Sequence, residues 1–205
     1  MEPSKANAST PALPFADPTA LGLFGLSIGC ASLLPVAFGV TSALTADALR
    51  TTAWFCLLFG GGCQFLAGLM SFANKNGLGG TLLTTFSFNW VMNYWALSQM
   101  AEGRAPSATV VLAVDLCFGL IFLVMTLAFA YFAKALVLFL VEIDLLYAFR
   151  IAAHLLHTKE LALPIALTTT ALMATALYIA FSLVLANATG RAILPLGGPV
   201  FAPKT

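Results

Sequence analysis

Residues 108–132 read ATVVLAVDLCFGLIFLVMTLAFAYF, an apolar block that contains one charged side chain, Asp115. A helix needs about 20 such residues to cross about 30 Å of hydrocarbon, at about 1.5 Å per residue. Across the whole chain of 205 residues, 60% are hydrophobic and 8% are charged, whereas about a quarter are charged in an ordinary soluble domain. The composition therefore predicts an integral membrane protein.

Five further apolar blocks of similar length occur in the chain, so we predict an all-α membrane protein with six transmembrane helices. Because the connections between blocks are short, consecutive helices are expected to be antiparallel. The predicted organisation is a flexible tail over 1–18, rich in Pro, Ala, Ser and Thr, a transmembrane domain over 19–190 and a second tail over 191–205. The predicted spans are roughly 20–40, 52–72, 80–100, 108–132, 135–156 and 163–186.

An even number of spans places both termini on one side of the membrane. Cytoplasmic loops carry an excess of Lys and Arg, which indicates the side. The terminal side has Lys5, Lys75, Lys134, Arg191 and Lys204, and the opposite side has Arg50, Arg104 and Lys159. This excess predicts that both termini are cytoplasmic.

Several classes of function lack support in the sequence. A formal net charge of +1 without a basic patch argues against nucleic acid as a partner. The cysteines show no paired-ligand spacing, so we expect packing residues and no metal site; they are Cys30, Cys56, Cys63 and Cys117. No HExxH, GxSxG or phosphate-binding glycine loop occurs, so we expect no enzyme, no catalytic residue and no cofactor.

Small residues predict where the helices approach each other closely. Helices in lipid associate through backbone contact at such residues. Gly25 and Gly29 form a GxxxG pattern in the first span, and Gly60, Gly61, Gly62, Ala67 and Gly68 occur in the second. Pro35 is expected to bend the first helix, because it lacks an amide donor.

The third span carries the densest set of polar residues, interleaved with aromatic ones. One interpretation is that the hydroxyls bond to carbonyls of their own helix and the amides bridge to neighbouring helices. We favour a pore lining, since the amides and hydroxyls need more partners than one helix interface supplies. The polar residues of this span are Thr81, Thr84, Thr85, Ser87, Asn89 and Asn93.

Three carboxylates, Asp115, Glu142 and Asp144, lie inside predicted spans. Each would cost roughly 3 kcal/mol or more if charged at the bilayer centre. Glu142 and Asp144 are two positions apart, about 200° around a helix, so both cannot line one pore. A structural ion pair, with Arg150 or His154 as partner, and a proton-coupling role both remain open.

Four stretches resemble the acetate uptake transporters, a family that includes bacterial succinate–acetate permeases and fungal acetate and ammonia-export proteins. Residues 16–23, ADPTALGL, resemble its N-P-x-P-L-G-L signature, and residues 59–68, FGGGCQFLAG, are similar to its glycine-rich second helix. Residues 76–90, NGLGGTLLTTFSFNW, resemble its third span, and the end of the chain resembles its final helix and R-x-x-L-P-x-G tail. The signature positions are Asp17, Pro18, Leu21, Gly22, Arg191, Leu194, Pro195 and Gly197.

This resemblance implies six helices around a pore in each protomer, six protomers in a ring, and passage of acetate and sometimes succinate. By position, the family's hydrophobic constriction falls on Leu26, Phe86 and Ile143. Glu142 and Asp144 flank that constriction and are not expected from the family. The implied location is the cell membrane, with the bacterial inner membrane favoured.

Taken together, these features predict a channel or proton-coupled transporter for acetate and similar small monocarboxylates, with succinate as a further substrate. Glu142 and Asp144 are the candidates for proton coupling. Two alternatives remain open: a channel for a small neutral solute such as urea, a short amide or ammonia, and a membrane sensor without flux. The residues predicted to bind the substrate are Thr84, Thr85, Ser87 and Asn89, with Gln64 opposite.

Overall fold

The computed structural model describes residues 14–201, and within that range the only regular secondary structure is helical. This confirms the predicted all-α architecture of six long helices. Positions 1–13 and 202–205 of the predicted tails, with Lys5 and Lys204, lie outside the described residues. The long helices are α1 (Thr19–Ala37), α2 (Ala46–Ala73), α3 (Gly77–Ala101), α4 (Ala108–Phe129), α5 (Lys134–Leu155) and α6 (Ala162–Thr189).

Four of these helices, α1, α2, α4 and α6, are long and apolar enough to cross a membrane. The other two are of similar length but more polar. Helix α3 contains the cluster of hydroxyl and amide residues, and α5 contains Lys134, Glu142, Asp144 and Arg150. Polar groups inside spanning helices are expensive unless they face partners or water, so α3 and α5 are the helices to search for a site.

Some helix ends differ from the predicted span limits. Helix α2 begins at Ala46, ahead of the predicted residue 52, because the Thr45 hydroxyl caps it by accepting a hydrogen bond from the amide of Ala48 at 3.3 Å. Helix α6 continues to Thr189, where Gly190 ends it with a left-handed φ of 69°. Hydropathy marks only the part of a helix within hydrocarbon, whereas caps decide where the helix itself ends.

The six helices close into a ring. Helix α1 packs against α2 and α6, α2 packs against α3, and α5 packs against both α4 and α6. The remaining gap, between α3 and α4, is closed by Phe86 and Phe122, whose ring centroids are 5.0 Å apart with the rings nearly perpendicular. This edge-to-face arrangement is a favoured aromatic contact. The buried core of the protein lies inside this ring.

Glycines bring α1, α2 and α3 into close contact, as the small-residue pattern predicts. A methyl group on Gly25 of α1 would overlap the carbonyl oxygen of Phe59 and the Cβ atom of Cys63 on α2. Gly29 and Gly60 both face the indole ring of Trp90 on α3. Helix α2 is π-helical over Cys56–Cys63, a wider winding that is rare and often found near functional sites.

The chain after α6 folds back onto the junction of α4 and α5. Leu196 and Gly198 accept hydrogen bonds from the first amides of α5, those of Ala135 at 2.9 Å and Lys134 at 3.1 Å. The carbonyl of Ala130, just after α4, accepts a hydrogen bond from the amide of Val200 at 2.8 Å. This segment therefore satisfies the helix-end amides that would otherwise lack partners, and the described part of the predicted C-terminal tail is held in place.

Candidate functional site: two cavities inside the helix ring

One cavity opens toward the ends of the ring where α1 finishes and α6 begins. Its volume is about 260 Å³, and we call it the Arg150 cavity. Its polar wall is contributed by Asn89 and Asn93 of α3, Arg150 of α5 and Thr169 of α6. The apolar wall consists of Cys30, Leu33, Val36, Ala37, Trp90, Leu146, Ile165 and Leu172.

A second cavity lies toward the opposite end of the ring, where α1 begins. Its volume is about 150 Å³, and we call it the Gln64 cavity. Thr19, Gln64 and Asn76 supply its polar groups. The other lining residues are Leu23, Leu78, Gly79, Leu82, Leu83, Phe86, Phe129, Phe132, Leu136 and Phe139. Within residues 14–201, no residue lines both cavities.

Of the three predicted constriction residues, Leu26 and Ile143 lie between residues of their helices that line the two cavities, and Phe86 lines the Gln64 cavity where α3 continues to the Arg150 cavity. Along α1, Leu26 lies between Leu23 at the Gln64 cavity and Cys30 at the Arg150 cavity. On α3, Phe86 is flanked by Leu82 and Trp90, and on α5, Ile143 is flanked by Phe139 and Leu146. Leu26 and Ile143 are fully buried, Phe86 is 2% exposed, and all three belong to one apolar core. We call Leu26, Phe86 and Ile143 the apolar layer.

The α3 residues predicted to bind the substrate do not lie together. Asn89 lines the Arg150 cavity. Thr84 points at Gly68 of α2, where a methyl group would overlap the Thr84 hydroxyl. Ser87 donates a hydrogen bond to the carbonyl of Thr84 at 2.6 Å, and Thr85 lies in a surface groove beside α4. These three residues therefore line neither cavity, and their role in substrate binding stays an untested prediction.

The rotation of a helix explains this difference. Successive residues are about 100° apart, so when Phe86 faces the ring interior, its neighbours face the flanking helices. Residues spaced three or four positions from Phe86 share its face. Those positions are Leu82, Leu83, Asn89 and Trp90, and one further turn away, seven positions from Phe86, are Gly79 and Asn93; all six line one of the two cavities. Helical periodicity counted from Phe86 would therefore have identified Asn89 and Asn93 as cavity residues. It would have excluded the hydroxyl residues Thr84, Thr85 and Ser87.

Gln64 is buried at 1% exposure and lines the cavity named after it. It was predicted to lie opposite the α3 donors around one pore. The structure instead separates it from Asn89, because the two residues line different cavities on either side of the apolar layer. The Oε1 atom of Gln64 has no hydrogen-bond partner among the described residues.

The same 100° rotation separates the carboxylates beside Ile143. Glu142 faces α6 and accepts a hydrogen bond from the Thr175 hydroxyl at 2.9 Å. Asp144 faces α4 and accepts one from the Thr126 hydroxyl at 2.6 Å. As predicted from their spacing, the two side chains do not share one face of α5. Neither pairs with Arg150.

The partner of Arg150 is Asp115 of α4. The Nη2 atom of Arg150 lies 2.9 Å from Oδ1 of Asp115, and its Nε atom donates a hydrogen bond to Oδ2 at 3.1 Å. The Nε–Oδ2 contact is a charge-assisted hydrogen bond, and the Nη2–Oδ1 contact is an ion pair without hydrogen-bond geometry. Asp115 is fully buried, whereas the side chain of Arg150 keeps 24% exposure and lines a cavity. The sequence did not predict this pair, because its two residues are 35 positions apart and on different helices.

The residues of the predicted signature lie near the start of α1 and in the segment after α6. Asp17 accepts hydrogen bonds from the amide of Thr19 at 2.9 Å and from its hydroxyl at 2.6 Å, at the start of α1. Gly22 packs against Leu83 of α3. The carbonyls of Leu194 and Pro195 accept hydrogen bonds from the hydroxyls of Ser182 and Tyr178 on α6. Gly197 packs on Lys134. Of the other three residues, Pro18 precedes α1, Leu21 is exposed and Arg191 follows α6.

The fold is a ring of six helices around two cavities. The solved structure of the bacterial acetate channel SatP has this fold, with a TM-score of 0.79 and 24% sequence identity. The match covers 89% of this chain and 99% of that chain. No family model and no curated protein matches the sequence. The comparison therefore shows a shared fold.

Proposed function

We propose that this protein is a membrane channel for acetate and similar small monocarboxylates. The observation that carries the proposal is the pair of cavities inside the helix ring, each with a few polar side chains in a mostly apolar lining, separated by one apolar layer. Leu23 and Cys30, which line opposite cavities, are seven residues apart on α1, about 10 Å along a helix. A small solute would therefore leave one cavity and reach the next over a distance of about two helical turns.

The cavity groups suit a carboxylate that sheds part of its water. Removing an isolated carboxylate from water without replacement costs on the order of tens of kcal/mol in a medium of low dielectric. Asn89, Asn93 and Arg150 in one cavity and Gln64 in the other offer N–H donors in place of water. We propose that the apolar layer between them admits only a small acid with a short apolar part.

A protein path has physical value for such a solute. With a carboxylic acid pKa near 4.3, about one molecule in several hundred is neutral at pH 7, so diffusion of the neutral acid through lipid is limited. The fold shared with an acetate channel supports the same substrate class. We further propose a homo-hexamer in the cell membrane, the bacterial inner membrane being favoured, with both termini cytoplasmic and with succinate as a second substrate.

A channel for a small neutral solute is the second candidate. It is favoured by Asn93, whose side-chain amide carries both donors and an acceptor and could pair with the amide of urea as well as with a carboxylate. A membrane sensor without flux is a third, since the same cavities could bind a solute without conducting it.

Uptake of labelled acetate, formate, succinate and urea into vesicles of purified protein, measured side by side at pH 7, tests the proposal. We expect acetate and formate to enter at least about tenfold faster than into protein-free vesicles, and urea to enter no faster. Uptake of urea alone would replace the proposal with the neutral-solute channel. Saturable acetate binding without any flux would favour the sensor.

Proton coupling through Glu142 is a hypothesis within this function. Glu142 is 7% exposed and directly precedes Ile143 of the apolar layer. Its Oε1 atom accepts the Thr175 bond, and its Oε2 atom has no hydrogen-bond partner within residues 14–201. A carboxyl that could bind a proton beside the apolar layer could carry that proton with the substrate. Asp144, which also has one oxygen without a partner in the described range, is the second candidate.

We expect Glu142→Gln to abolish the protein-dependent response of acetate uptake to pH, because the amide cannot bind and release a proton. Initial rates at pH 6 and pH 8, each corrected for protein-free vesicles, measure this response. The exposed Glu160 of the loop before α6 supplies the matched control, and Glu160→Gln should respond as the wild type does. An unchanged response in Glu142→Gln would eliminate this residue, and the same test on Asp144→Asn would then decide for the second candidate.

A further inference from the structure

Arg150 lines its cavity with more N–H donors than Asp115 accepts. A guanidinium carries five N–H groups. The one on Nε donates to Oδ2 of Asp115, and Nη2 is in ion-pair contact with Oδ1. The described residues provide no other hydrogen-bond acceptor for this side chain. Because Arg150 is part of the cavity wall, the remaining N–H groups are available to a solute that enters the cavity.

Tyr147 connects Arg150 to Asn89. The Tyr147 hydroxyl donates a hydrogen bond to Oδ1 of Asn89 at 3.0 Å, and the Cζ atom of Arg150 lies 5.5 Å from the centroid of the Tyr147 ring. The tyrosine is 1% exposed, so both neighbours rest against a fixed side chain. With Oδ1 occupied, Asn89 presents its amide N–H groups, which have no acceptor within residues 14–201. Asn89 and Arg150 therefore offer only donors to the cavity they share.

We infer that Arg150 and Asn89 form a carboxylate-binding site in the Arg150 cavity, held by Tyr147 and by the buried Asp115. The inference rests on the proposed function and names the residues that give it charge selectivity. Donors without acceptors favour a carboxylate over a neutral amide, whose own N–H groups would face other donors. Asp115 neutralises most of the charge of Arg150, and conduction requires binding strong enough for entry yet weak enough for release.

Acetate and acetamide are the matched probes for this site, since they have nearly the same shape and differ in charge. Their flux ratio in the same vesicles does not depend on how much protein is folded. We expect Arg150→Gln to lower the acetate-to-acetamide ratio by about tenfold, and Arg150→Lys to retain most of it. Arg50 of α2, which forms an exposed pair with Asp47, provides the control, and Arg50→Gln should leave the ratio unchanged.

Asp115 is a positioning residue. Its role is tested by measuring the half-saturating acetate concentration and the maximum rate of flux separately. We expect Asp115→Asn to lower the half-saturating acetate concentration several-fold and also to lower the maximum rate, because a more positive Arg150 holds the anion longer. Acetamide flux should be unaffected. A purely structural role would instead lower the flux of both solutes together.

The inference is overturned if Arg150→Gln conducts acetate and acetamide in the wild-type ratio. It is also overturned if Arg150→Gln and Asp115→Asn each reduce the two fluxes equally. In either case acetate flux through the wild type would leave the proposed function intact. Absence of acetate flux in the wild type would remove both.

Discussion

We expect Leu26→Trp to reduce protein-dependent acetate flux at least about twentyfold. Leu26 is fully buried in the apolar layer, between the residues of α1 that line the two cavities. An indole at this position would fill the space that any solute must cross, because protein interiors are close-packed and yield little to larger side chains. Initial rates of labelled acetate uptake into vesicles measure the effect.

Overpacking of a core costs about 1–3 kcal/mol, so folding must be checked in parallel. Ile28, 40% exposed on the outer face of the same helix, is the matched site. Ile28→Trp introduces the same side chain two positions away and should conduct at the wild-type rate. If Leu26→Trp elutes as a folded protein and still conducts acetate normally, the passage does not cross the apolar layer inside the ring.

The second large effect concerns stability. We expect Gly25→Ala to lower the midpoint of thermal unfolding by on the order of 5 °C or more. A methyl group there would meet the backbone carbonyl of Phe59, which cannot rotate away as a flexible side chain could. Separation of α1 from α2 would cost about 1–3 kcal/mol, and each kcal/mol lowers the midpoint by about 2–4 °C in a chain of this size. Thermal unfolding of the detergent-purified protein measures the shift.

Gly77, at the start of α3, provides the control for this prediction. A methyl group added to Gly77 would have no other atom within 4 Å, and its backbone does not need a positive φ. Gly77→Ala should therefore leave the unfolding midpoint within about 2 °C of the wild type. Equal midpoints for Gly25→Ala and Gly77→Ala would show that close contact between α1 and α2 does not support the fold.

Sequence patterns predicted the architecture because hydrocarbon imposes a strong constraint. A spanning helix must be about 20 residues long and mostly apolar, and Asp115 is the only charge in the stretch 108–132. The same constraint favours glycine where helices touch, so the contact of Gly25 with α2 followed from the sequence. The ends of the helices were predicted less well from the sequence, because Thr45 and Gly190 set them by capping and hydropathy does not record caps.

The candidate site was harder to predict, because it depends on the rotation of each helix. Grouping the polar residues of α3 by position in the chain placed Thr84 beside Asn89, although the structure turns them toward different neighbours. Arg150 was one of two possible partners for Glu142 or Asp144 on its own helix, whereas it pairs with Asp115 of another. Contacts between helices, such as that of Tyr147 with Asn89, join residues 58 positions apart, and no local pattern records them.

The most direct test of a conducting passage between the two cavities is counterflow of labelled acetate. Vesicles containing the wild-type protein are loaded with unlabelled acetate and diluted into a trace of the labelled acid, with labelled urea as the parallel solute. A carboxylate passage predicts transient accumulation of labelled acetate above the level of protein-free vesicles, and none for urea. Acetate that binds without accumulating, or accumulation of urea alone, would contradict it.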